Sequence, residues 1–256
     1  MSRKVAIVTG ASQGIGRSTA IRLAHDFDSI VLVARNRANL EQTAAEVKEA
    51  GAESLVLDLD LSEPEAAQQV VEQTLATFER IDALLNIAGA VPQIDVLEMT
   101  DEQWDRGMAL KLHGARRLTI AAWPSLKASS GSVVLRSGNS ALFPKAPYAA
   151  VGTINAAIVA LAKAFSDRGI GDGVQVNSVL PGAVMTGRRR SYLEHWAPLH
   201  NMSVEEATAK FPVEAGITRY GTPEEIAELM AFVVSPAARW MTGSTLRMDG
   251  GEVKSI

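Results

Sequence analysis

Between residues 5 and 23 a short apolar run turns through three glycines into a helical pattern, and few folds accommodate that succession. Val5-Ala6-Ile7-Val8 is the run and Thr9-Gly10-Ala11-Ser12-Gln13-Gly14-Ile15-Gly16 is the turn. Arg17-Ser18-Thr19-Ala20-Ile21-Arg22-Leu23 continues as a helix. Glycines let the backbone approach a ligand closely, while the free N–H groups and positive end of a helix start attract an anion. Gly10, Ser12, Gln13, Gly14, Ile15 and Gly16 are therefore expected to cradle a phosphate. The spacing is not G-x-G-x-x-G, but the position directly after a strand is the one that nucleotide binding requires.

Strand and helix patterns alternate through the rest of the chain. Strands are expected at 29–34, 54–59, 81–86, 131–135, 174–180 and 244–248. Helices are expected at 39–50, 63–80, 100–122, 148–166 and 222–234. The second strand is nearly all apolar, as suits a strand buried on both faces. Gly51 stands where a helix ends, and Pro124 is expected to break the long fourth helix. Without repeats, low-complexity tracts or polar linkers, the alternation predicts an α/β fold. We expect a single doubly wound Rossmann-type domain over residues 1–256, with a parallel sheet of about seven strands. Residues 185–218 are irregular, rich in aromatic and basic types, and follow a strand's end where ligands bind in such sheets. They are expected to form a substrate lid.

Composition narrows the partners. A formal net charge of −4 over 256 residues points to neither nucleic acid nor an anionic membrane. The absence of cysteine excludes disulfides, zinc–thiolate sites and cysteine nucleophiles. Apolar runs such as 156–162 are far short of a membrane span and no cleavable signal pattern opens the chain, so a cytoplasmic location is expected. His195 and His200 are five apart with no carboxylate to complete a set, so no metal site is expected. Arg188-Arg189-Arg190 could receive an anionic substrate, although a run of charges is more often a solvated face. Tyr192, Trp196 and Phe211 suit either a pocket lining or an interface.

Together these motifs resemble the short-chain dehydrogenase/reductase family along essentially the whole chain. Its cofactor loop T-G-x-x-x-G-x-G is Thr9 to Gly16, and its adenine-holding acid after the third strand is Asp60, followed by Leu61. Its N-N-A-G is Asn86-Ile87-Ala88-Gly89, with the second asparagine replaced. The P-G-x-x-x-T along the nicotinamide is Pro181-Gly182-Ala183-Val184-Met185-Thr186, and Thr242-Gly243 through Asp249-Gly250-Gly251 is a similar ending. The resemblance implies a nicotinamide cofactor, a small carbonyl or alcohol substrate, and a homodimer or homotetramer built on the helices at 100–122 and 148–166. A carboxylate at the end of the second strand would select NAD. Arg35 stands there instead and suits a 2′-phosphate, which favours NADP, although Gln13 replaces a second basic residue common in NADP-binding members.

The family's catalysts match less well. Its tyrosine acts as general acid or base, assisted by a lysine four residues later and by a serine that polarises the substrate oxygen. Tyr148 fits, but the lysine position is Gly152, the serine position is Gly138, and the asparagine of N-L-x-G is Lys111. Some relatives similarly combine a lysine in that helix with a G-N pair before the tyrosine and an asparagine seven residues after it, here Asn155. The resemblance implies a catalytic set of Lys111, Asn139 and Tyr148, with Asn155 orienting Lys111 and Gly152 clearing its path. Ser137 and Ser140 are alternatives to Asn139. Lys111 could instead snorkel from an amphipathic helix, leaving a nucleotide-binding protein without the chemistry, a sensor or assembly partner.

Overall fold

The structure, a computed structural model, describes residues 3–255. Its strands are β1 (Val5–Thr9), β2 (Ser29–Ala34), β3 (Glu53–Asp58), β4 (Ala83–Asn86), β5 (Ser132–Arg136), β6 (Gln175–Pro181) and β7 (Thr245–Met248). They form one parallel sheet in the order β3-β2-β1-β4-β5-β6-β7. Successive strand residues point to opposite faces, so β1 sends Val5 and Ile7 one way and Ala6 and Val8 the other. On the first face they meet α3 (Ala66–Phe78), α5 (Ala115–Ser129) and α6 (Ala149–Asp172), through residues such as Val70, Leu118 and Ile158. On the second they meet α1 (Gly14–Leu23), α2 (Arg37–Glu49) and α9 (Pro223–Val234), through Leu23, Leu40 and Met230. Parallel strands covered on both sides explain why β1 and β2 are apolar at nearly every position. The order reverses between β1 and β4, and ligands bind outside the strand ends at such a switch point.

Three local features differ from expectation. Pro124 lies inside α5 without ending it. The N–H it lacks would have bonded the carbonyl of Ile120, which is 52% exposed and so within reach of water. The helix expected at 100–122 is instead α4 (Asp101–Met108) and α5 joined by a wider π-turn over Ala109–Gly114, a distortion often found at functional sites. The segment expected to be irregular is two helices, α7 (Gly187–Leu199) and α8 (Val204–Ala215). Thr186 and Ser203 cap their starts, and prolines at 198 and 212 within them disguise the helical pattern. They pack on each other through Leu193, Ala197, Ala207 and Tyr220.

The helix running over Ala146–Asp172 is long and apolar enough to cross a membrane by length and composition. Here it packs along β6, with Ala150, Ile154, Ile158 and Ala162 buried.

Candidate active site

The glycine loop is held in place by Thr9. Its hydroxyl accepts the N–H groups of Ile87 (2.9 Å) and Ala88 (3.0 Å), tying the end of β1 to the chain leaving β4. Gly10 and Gly14 have φ of 68° and 54°, the left-handed region that other residues rarely adopt. A Cβ on Gly16 would collide with the carbonyl oxygen of Gly10. The loop thus turns tightly and delivers the start of α1, whose first N–H groups have no carbonyl within the helix to bond. A cleft of about 820 Å³ opens over it, within the ~300–1,000 Å³ usual for cofactor sites. Gly10, Ser12, Gln13, Gly14, Ile15, Gly16, Arg35, Asp60, Leu61, Ala88, Gly89 and Thr186 all line this cleft. A backbone cradle closed to side chains, at a positive helix end, fits the diphosphate of a dinucleotide.

The remaining motif positions are placed differently. Asn86 is 4% exposed and donates to the Thr119 hydroxyl of α5 at 3.1 Å, on the side away from the cleft. Pro181, Gly182 and Val184 are also absent from the lining. A Cβ on Gly182 would lie 2.5 Å from that of Asp249, so this glycine makes room for the Asp249-Gly250-Gly251 turn. Val184 instead bridges to Gly221, ahead of α7.

At the adenosine end, over β2 and β3, Arg35 and Asp60 face each other at 3.6 Å. Burial pushes the Asp60 carboxyl up, but hydrogen bonds from the Ser62 N–H (3.0 Å) and hydroxyl (2.7 Å), with Arg35, hold it below the usual carboxylate range. Arg35 itself is 68% exposed. A pair this exposed is weak, so the guanidinium remains available to a phosphate. Asn36 and Asn39 complete this end of the lining.

Lys111 sits on the π-turn and is only 4% exposed. Its ammonium donates to Asn155 Oδ1 and, at 3.5 Å, to the Ser137 carbonyl. Asn155 in turn donates to the Ser140 hydroxyl at 2.8 Å, and the Ser137 hydroxyl donates to the Asn155 carbonyl at 2.7 Å. Burial first, then the neighbouring charges of Arg136 and Arg188, push the Lys111 amine well below its ordinary value. Gly138 belongs to the same arrangement, because a Cβ there would lie 2.8 Å from Asn155 Nδ2. The glycine at the family's serine position and the asparagine in α6 thus occupy one space between them.

Gly152 has a different explanation from the one expected. A Cβ there would meet Pro144 Cβ at 2.6 Å and the Ser140 carbonyl at 3.0 Å, not Lys111. The glycine admits the loop before α6, which lies nearest to it. Asn139 is engaged too, donating to Glu252 Oε2 at 2.6 Å near the C-terminus. Tyr148 is half-buried at the start of α6, and no hydrogen bond joins it to Lys111 among the described residues.

Two arginines that carry no motif also reach the cleft. Arg136 ends β5, donates to the Ile87 carbonyl at 3.0 Å, and has its pKa pushed down to about 10 by burial and then by Arg188. Arg188 rises from the first turn of α7 and approaches the Gly89 and Val91 carbonyls at 3.4 and 3.5 Å. The run at 188–190 is therefore not one solvated face. Arg189 turns toward α8, 4.4 Å from the Phe211 ring centre and 5.6 Å from that of Tyr220.

Known proteins share this architecture. Residues 10–252 match the family described as Enoyl-(Acyl carrier protein) reductase. The chain is 30% identical over 247 residues to the short-chain reductase protein NovJ of Streptomyces niveus, covering 96% of this chain and 93% of that one. It is also 30% identical over 256 residues to a 3-oxoacyl-[acyl-carrier-protein] reductase of Synechocystis sp., covering 99% and 98%. The solved structure of L-sorbose reductase from Gluconobacter frateurii, complexed with NADPH and L-sorbose, superposes with a TM-score of 0.95 at 29% identity, covering 100% and 98%. Fold, glycine cradle and these matches agree, and the chain belongs to the short-chain dehydrogenase/reductase family of nicotinamide-dependent oxidoreductases.

Proposed function

We propose that this protein is an NADP(H)-dependent oxidoreductase exchanging a hydride with a ketone or secondary alcohol. The observation that carries this reading is the buried ammonium of Lys111, held by Asn155 beyond the β4 end of the cleft. A lysine left without a carboxylate in such a place costs stability, which is readily understood where its charge serves chemistry. The nicotinamide, when bound, supplies or accepts the hydride. Tyr148 moves the proton at the substrate oxygen, and Lys111 provides the cation that the family places four residues after its tyrosine. Asn155 holds the ammonium in position, while Asn139 orients the C-terminal residues through Glu252. Arg35 supports NADP over NAD. Relatives' names support a small-molecule carbonyl or alcohol substrate, with α7 and α8 as its lid. A homodimer or homotetramer built on the helices at 100–122 (α4 into α5) and 148–166 (α6), acting in the cytoplasm, completes the reading.

A second reading has its own support, since the Asn139 amide is engaged by Glu252 and no hydrogen bond joins Tyr148 to Lys111. On that reading the protein binds the nucleotide as a sensor without turnover. Single-turnover stopped-flow oxidation of NADPH with a broad carbonyl panel separates the two. The oxidoreductase reading expects turnover by the wild type and a loss of about 10² or more in Lys111→Met, the scale of a lost proton-transfer group. Silence of the wild type across the panel supports the sensor. Turnover unchanged in Lys111→Met would remove the lysine from the mechanism.

A further inference from the structure

Two guanidiniums and the stem of the buried Lys111 converge around Gly89. A Cβ on that glycine would meet Lys111 Cδ at 3.0 Å and Arg136 Nη2 at 3.1 Å, and Arg188 donates to its carbonyl at 3.4 Å. No ion pair involves any of the three among the described residues. Asp60 is the carboxylate on the cleft lining, and it stands at the opposite end beside Arg35. Like charges gathered in a partly buried space repel, and burial without a counter-charge is costly. An anion joining the arrangement would relieve that repulsion.

Two anions could do so: the diphosphate of the cofactor or an acidic group on the substrate. The sheet order separates them. Arg35 and Asp60 mark the adenosine over β2 and β3, and the start of α1 beside β1 receives the diphosphate. Gly89 follows β4 and Arg136 ends β5, one and two strand positions further, on the nicotinamide side. Arg136 has one carbonyl partner and a guanidinium with five donors, so its fork is free to meet a carboxylate in two-point fashion. Resting on the reading of the cleft as a nicotinamide site, we infer that the substrate is a carbonyl compound bearing a carboxylate, gripped by Arg136 and Arg188. Arg188, exposed at the rim on α7, already reaches the Gly89 carbonyl and brings the first turn of α7 into the recognition.

The test uses benzoylformate and its methyl ester, in which a methyl group replaces the charge. Calorimetric titration of the full chain in the presence of NADP+ is expected to show benzoylformate binding at least ten-fold more tightly than the ester. Arg136→Gln and Arg188→Gln are each expected to collapse that preference, while NADPH affinity, followed by its fluorescence, changes by less than about two-fold. Equal binding of acid and ester by the wild type overturns the inference. So does a loss of NADPH affinity as large as the loss for the acid, which would assign the cluster to the cofactor. Binding is read here without turnover. Acid binding without NADPH oxidation would leave the carboxylate site standing and remove the oxidoreductase reading. Turnover of neutral ketones with no acid preference would do the reverse.

Discussion

Lys111 separates stability from function at a single residue. Its amine is held below its ordinary value by burial and by two arginines, so the folded chain binds that proton less readily than the unfolded one. Between the lowered pKa and 10.5 the unfolded state carries more protons, and stability rises with pH as this penalty fades. Lys111→Met removes the penalty, which offsets the hydrogen bond lost at Asn155 Oδ1. The variant is expected to melt no lower than the wild type at pH 7, with any gain shrinking as pH approaches 10, while hydride transfer is lost. Melting curves across pH check this, and a large drop in Tm at pH 7 would instead make Lys111 a structural group. Its position was legible in the sequence through the K-L-x-G pattern, but its surroundings were not. Arg136 and Arg188 carry no motif, and only the fold brings residues from β5 and α7 to the same glycine.

At the scale of elements, strand and helix positions were legible because apolar periodicity and glycine punctuation reflect burial on a two-sided sheet. Misreadings fell where tertiary contacts decide. Pro124 is carried inside α5 because the residue whose carbonyl it leaves unbonded, Ile120, is exposed, and α7 and α8 bury only a small cluster of their own. Gly152 is a similar case, since the residue facing it comes from the loop before α6. Installing the family's lysine there would place a Cβ 2.6 Å from that of Pro144 and 3.0 Å from its Cα, which is backbone and yields little. Overpacking of this kind costs about 1–3 kcal/mol, against about 1 kcal/mol gained by removing a helical glycine. Gly152→Lys is therefore expected to melt a few degrees lower than the wild type. It is also expected not to restore activity to Lys111→Met. A double variant with recovered hydride transfer would show that the two positions are interchangeable and that the loop moves aside.

For the whole molecule, charge is distributed unevenly. The chain is net negative, yet the cleft is lined by Arg35 at one end and by Arg136 and Arg188 at the other. Such a cleft attracts anionic ligands against the average charge of the surface and raises their local concentration. A ligand that binds only the folded state stabilises the entire fold by RT ln(1 + [L]/Kd), about 2.7 kcal/mol at a hundred-fold excess over Kd. For a chain of this size that corresponds to a rise in Tm of roughly 5–10 °C. NADPH and NADH differ only in the 2′-phosphate, so comparing their shifts at equal concentration reads the Arg35 end alone. NADPH is expected to raise Tm further than NADH in the wild type. Arg35→Glu should reverse the order, because a carboxylate at the end of β2 accepts ribose hydroxyls and repels the phosphate. Since Arg35 is 68% exposed and only weakly paired with Asp60, its replacement is expected to leave the Tm of the ligand-free protein nearly unchanged. The same NADPH preference before and after substitution would show that Arg35 takes no part in the choice. Selectivity would then have to come from Asn36 and Asn39, the neighbouring side chains on that wall of the cleft.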